Sequence, residues 1–112
     1  MTAFRALLIA MFAVLLVYTG VVIAAHGWGL FAVFFGDMAR VGWPGQFNLD
    51  FMFMLTLSAL WVAWRHGFSL PGLVLALIAF NGGASFLSVY LLILSFQTRG
   101  DMRAILMGPS RA

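Results

Sequence analysis

Ionisable side chains are so scarce in this 112-residue chain that each can be weighed individually: six basic residues, all Arg, three Asp, two His and no Cys. Asp50 comes first. It sits near the start of an apolar run, Phe47 to Trp64, and an acid at mid-membrane costs about 2.5–3.5 kcal/mol on insertion scales. One helical turn into that run, about 5 Å of rise, places it near the interface. Three readings fit it. It is capped or paired with Arg to fix a loop to the bundle, or it titrates, binds a cation or meets a polar headgroup, or it is plainly solvent-exposed. His26, Asp37, Arg40 and Arg99 fall on the same side of the expected bundle and complete the polar set there.

A second set lies inside the last apolar run. Asn81, Ser85 and Ser88 recur at i, i+4 and i+7, which draws one polar stripe along a helix. Gly82, Gly83 and Ala84 beside it permit close backbone approach, so the stripe reads as glue between helices. Asn81, near mid-membrane, needs a partner, for which Thr19, Thr56 and Ser58 are the candidates. Gly20-x-x-x-Ala24 and Ala59-x-x-x-Ala63 are further small-residue pairs.

Other chemistry finds little to work with. His26 ends one span and His66 follows the next, so they face opposite sides and cannot clamp one haem; no cofactor is expected. No H-x-x-x-H spacing suggests a metal, and without Cys there is no thiolate ligand or nucleophile. His26, Asp50 and Ser95 have the residue types of a nucleophilic triad at similar expected depth. However, no Gly-x-Ser-x-Gly elbow orients them. There is no P-loop, and with no Glu or Lys the general acids and bases are three Asp and two His. The chain reads as a non-enzyme.

These residues are positioned by helices in a bilayer. Hydrophobic residues make up 64% of the chain and charged ones 8%, too few charges to solvate a soluble domain of this size. The mean hydropathy is +1.08. The reading is an all-α integral membrane three-helix bundle forming a single membrane domain over residues 1–112, with spans at about 6–25, 47–64 and 70–96. Pro71 falls in the first turn of the third span, where a missing N–H costs nothing. Only Arg65 to Ser69 joins the second and third spans, so they form a hairpin.

Between the first two spans, Leu30, Phe31, Phe34, Phe35 and Met38 share one helix face, bracketed by Trp28 and Trp43. Residues 29–40 therefore read as an interfacial helix lying on or dipping into the membrane, after which Trp43-Pro44-Gly45 turns the chain. In the tail, 99–112, Asp101 is the expected N-cap of a short amphipathic helix. Met102, Ile105 and Leu106 share a face of it, and Gly108-Pro109 stop it.

A secretory signal is the main rival reading of the first run, with Ile23-Ala24-Ala25 as its cleavage site, but signal cores are shorter. Thr2, not Gly, follows Met1, so myristoylation is not expected. The arginines are scattered, without the clustering and interleaved aromatics that nucleic-acid binding needs. On three straight spans, Arg5 and Arg65 share one side and Arg40, Arg99, Arg103 and Arg111 the other, which favours a cytoplasmic tail.

From the second span onward, the chain carries Asp50, then Leu60-Trp61-Val62-Ala63-Trp64-Arg65, then a Gly/Asn-containing span with Tyr90-Leu91-Leu92. Arg99-Gly100-Asp101 and Ile105-Leu106-Met107-Gly108 close it. Over residues 47–108 this resembles a group of small three-helix bacterial membrane proteins classed as domains of unknown function. It departs from that group in the order Asn81-Gly82-Gly83. The resemblance implies fold and a bacterial inner-membrane location, and it carries no known activity. The functional expectation is an accessory or assembly component, with the lipid bilayer, a homo-oligomer or a larger membrane complex as partner. An oligomeric transporter or channel that uses Asp50 as coupling acid is the alternative, and a lipid-acting enzyme comes third.

Overall fold

The computed structural model describes residues 1–108, so Pro109 and Arg111, invoked above as helix stop and tail charge, lie outside the described residues. All regular structure among the described residues is helical: α1 (Thr2–His26), α2 (Leu30–Ala39), α3 (Trp43–Arg65), α4 (Leu70–Gln97) and α5 (Met102–Met107). By length and composition, α1, α3 and α4 are each sufficient to cross a membrane.

The second span begins earlier than the apolar run suggests. Trp43-Pro44-Gly45 is the first turn of α3 rather than a loop, because Pro near N1 lacks only an N–H that would have no helical partner anyway. The expected helix after α1 forms as α2, and it runs back along the first half of α3. Asn48 Nδ2 donates to the Phe34 carbonyl at 3.1 Å, closing the pair side to side. A Cβ at Gly45 would lie 2.5 Å from the Asp37 carbonyl oxygen, so only glycine permits this approach.

The largest departure from expectation is in α4, which is not a straight span. Gly83 has φ 57° and ψ −139°, a region essentially reserved for glycine, and the helix breaks there. Two contacts show how far it turns. A Cβ at Gly72 would lie 2.5 Å from the His66 Cβ, while the Tyr90 hydroxyl is 2.6 Å from His66 Nε2. In an unbroken helix, Gly72 and Tyr90 would be about 27 Å apart, beyond the combined reach of the two side chains. The first arm (residues 70–82) therefore ascends antiparallel to α3, and the second (84–97) descends again. The tip abuts α3 midway: a Cβ at Gly83 would lie 3.3 Å from Phe51 Cζ and 3.4 Å from Leu55 Cδ2. Each arm rises about 20 Å, less than the roughly 30 Å of a hydrocarbon core.

The fold-back creates the core. Val62 and Ala63 of α3, Ala76 and Ala79 of the first arm, Tyr90 and Leu94 of the second, and Ile105 of α5 form one buried cluster. Gly72, Ala76 and Ala79 recur at i, i+4 and i+7, the small face that lets the first arm sit close. At the α3–α4 turn, Ser69 caps α4, its Oγ accepting from the Gly72 N–H at 3.3 Å.

α5 then lies across the end of α3. As expected, Asp101 Oδ1 accepts from the Arg103 and Ala104 N–H groups, at 3.1 and 3.5 Å. Of the three residues expected on one face, Ile105 is buried, while Met102 and Leu106 stay exposed.

The α4 hairpin overturns the straight-span distribution of charge. Arg5, Arg65, Arg99 and Arg103 gather at one end of the molecule, and Arg40 stands at the other. Gly100 packs beside Met1, and Arg5 reaches Ser95, which places both ends of the described chain together.

Candidate functional site

Because α3 starts at Trp43, Asp50 lies seven residues in, about 10 Å along the axis and deeper than the sequence suggested. It is exposed, and the expected pairing with an arginine does not form. The one ion pair among the described residues is Asp37–Arg40 at 3.7 Å, at i, i+3 on the opening between α2 and α3. No hydrogen bond or ion pair within the described chain engages the Asp50 carboxylate. Phe47, Phe53, Met54 and Leu57, one to two turns away on the same face, are all more than half exposed. The site is a lone carboxylate set in an uncovered apolar helix face.

The other sequence candidates disperse. Arg99 is at the opposite end of the molecule from Asp50, because α4 doubles back. His26 ends α1 exposed, beside a cleft of about 420 Å³ whose walls include Thr19, Trp28 and Val33. The break at Gly83 divides the polar stripe. Asn81 stays on the first arm, where its Nδ2 donates to its own helix at Leu77 O, 2.9 Å. Ser88 Oγ donates within the second arm, to the Ala84 and Ser85 carbonyls. Thr56 likewise bonds back to Met52, so it does not serve Asn81. Nothing lies within 4 Å of a Cβ built on Gly20, whereas Ala63 is buried, so of the two small-residue pairs only the one on α3 packs. Ser95 is at the far end from His26 and Asp50, which removes the triad geometry. Among the described residues no three His, Cys, Asp or Glu side chains come together as metal ligands.

The densest polar arrangement is one that sequence reasoning passed over. Arg65 is buried at the end of α3 and donates Nε to the Ile105 carbonyl at 2.6 Å and Nη2 to the Ala104 carbonyl at 3.1 Å. Trp61, one turn earlier, donates Nε1 to the Leu106 carbonyl at 2.9 Å. Three successive carbonyls at the negative end of α5 are thereby satisfied by one helix face, and the guanidinium meets a helix dipole instead of a carboxylate. Tyr90 packs edge-on to Trp61 and stacks on Phe86. His66 shares its 2.6 Å hydrogen bond with the Tyr90 hydroxyl. Partial burial, and then the Arg65 charge, hold the imidazole below its ordinary pKa, so the neutral ring is favoured. A parallel link ties α1 to the same end. Arg5 donates to Ser95 Oγ at 3.0 Å and to its carbonyl at 2.9 Å, and its guanidinium lies 4.0 Å over the Phe96 ring. The Trp61–Arg65 spacing of one turn was legible, but nothing in a straight third span brings Tyr90 to it.

Comparison with protein-family models, with curated proteins and with solved structures returned no match.

Proposed function

We propose that the chain is a multi-pass subunit of a bacterial inner membrane, non-enzymatic, that assembles with a larger membrane protein through the outer face of α3. On this reading a Lys or Arg on a partner helix pairs with Asp50. The observation that carries it is the unpartnered Asp50 carboxylate on an exposed apolar face. An ionised acid facing lipid is costly, and a cation at matching depth removes that cost. The longest dimension of 45 Å matches a bilayer with its headgroup layers, about 40–45 Å. Among the described residues four arginines at one end against one at the other support a reading in which that end is cytoplasmic, with α1's start and α5 inside.

The interrupted α4 favours a second reading, the oligomeric transporter, since helix breaks at membrane depth occur where backbone is buried in protein or lines a cavity. Native mass spectrometry of the tagged protein, extracted gently from its own membranes, separates the two. A larger protein in the mass that Asp50→Asn removes, at unchanged abundance, supports the accessory reading. A homo-oligomer whose ion flux in vesicles is abolished by Asp50→Asn replaces it with the transporter.

A further inference from the structure

The first arm of α4 has a buried face and a bare one. Gly72, Ala76 and Ala79 are buried; on the opposite face Leu73 and Ile78 are exposed at the margins, and Leu70, Val74, Leu77 and Asn81 are exposed along the middle, Leu70 at 76% and Leu77 at 65%. These four exposed residues are spaced 4, 3 and 4 apart and fall within an arc of about 60° at 100° per residue. That is a heptad seam: Leu70 and Leu77 at d, Val74 and Asn81 at a. A β-branched residue at a with Leu at d favours two parallel strands, and a single Asn at a fixes register.

We infer that this seam is the contact between two copies of the chain, packed first arm against first arm about a two-fold axis along the membrane normal. Two copies inserted the same way hold every residue at equal depth, so Leu70 meets Leu70, Leu77 meets Leu77 and Asn81 meets Asn81. Asn81 supplies the reason for the occupant being a second copy. It lies about 18 Å above the α3–α4 turn and is exposed there. One amide N–H is spent on Leu77, and its carboxamide oxygen accepts from no donor among the described residues. A carboxamide is self-complementary: each Nδ2 has a second N–H for the other copy's Oδ1. The pair so formed satisfies both oxygens at a depth where water is scarce. The seam is on a different helix from Asp50, so the two proposals are tested apart.

The chain has no Cys, so single cysteines report cleanly. Val74→Cys and Leu77→Cys are each oxidised in native membranes and compared with Val14→Cys, exposed on α1. The expected result is a disulfide-linked product of twice the chain mass from the two seam variants, well above the α1 control. Adding Asn81→Leu should then weaken association by about 3- to 30-fold, the range that interhelical hydrogen bonds provide. Seam yields no higher than the α1 control, in variants present at normal abundance, would overturn the proposal. So would an adduct with a different protein, or yields that Asn81→Leu leaves unchanged.

Discussion

Arg65 shows what a single side chain can do at the end of an apolar helical bundle. Its planar fork spans two carbonyls, which the ammonium of Lys cannot reproduce. Hydrogen bonds from a charged donor contribute about 1.5–3 kcal/mol, so Arg65→Ala should raise the open population of α5 about 10- to 150-fold. Tryptic cleavage at Arg99 and Arg103, timed in detergent, measures that opening, and Arg65→Lys should fall between wild type and Ala. His66 adds a pH dependence. Its folded pKa is depressed, so its contribution is complete above about 6.5, the unfolded value, and is lost as pH falls toward the lower folded value. Thermal melting in detergent should therefore drop over that interval in wild type and show a smaller drop in His66→Asn. The Asp101 cap was readable from the sequence because capping is local. The acceptors of Arg65 were not, because they lie about 40 residues away on a helix whose position depends on the α4 turn.

Among the helices, α4 is the one whose path local pattern leaves open. Its run of apolar residues matches a tilted span in length, and the Gly82-Gly83 pair was legible only as small-residue packing. Glycines of that kind serve equally in a straight helix and in a break. Only the contact of the tip with Phe51 and Leu55, and of Tyr90 with His66, selects the break. Gly83→Ala should cost about 1–3 kcal/mol from backbone strain alone, and the new methyl also presses on Phe51 and Leu55. Loss of melting temperature in detergent measures it, with Gly20→Ala, whose site is open, expected to be near neutral or slightly stabilising. The α2 helix was found from periodicity at nearly its true bounds, while its seat on α3 depended on Gly45 and Asn48, which no hydropathy pattern singles out.

For the whole molecule, the hairpin changes which end carries the charge. On three straight spans the arginines divide with the tail opposite Arg5; with α4 folded back, Arg5, Arg65, Arg99 and Arg103 share an end. Reporter domains fused before Met1 and after residue 108 should both report the cytoplasm, and one inserted at Val41 the other side. A tail reporter on the side opposite the first would mean that α4 crosses the membrane straight. The Gly83→Ala variant tests the same point, since straightening the helix would carry Arg99 and α5 across.

Composition and periodicity by themselves determined that this is a helical, strongly apolar chain, where its long helices lie, and that Asp50 is its conspicuous acid. Those properties belong to residues within a few turns of one another, and local hydrogen bonding and hydropathy set them. Only the tertiary structure decided that α4 turns back at Gly83, that Arg65 and Trp61 hold α5, and that Asp50 and Asn81 are left without the partners the sequence offered them. Each of these depends on contacts between residues distant in the chain. Apolar side chains that are nearly interchangeable in hydropathy differ there in one thing, the shape they present to a neighbouring helix.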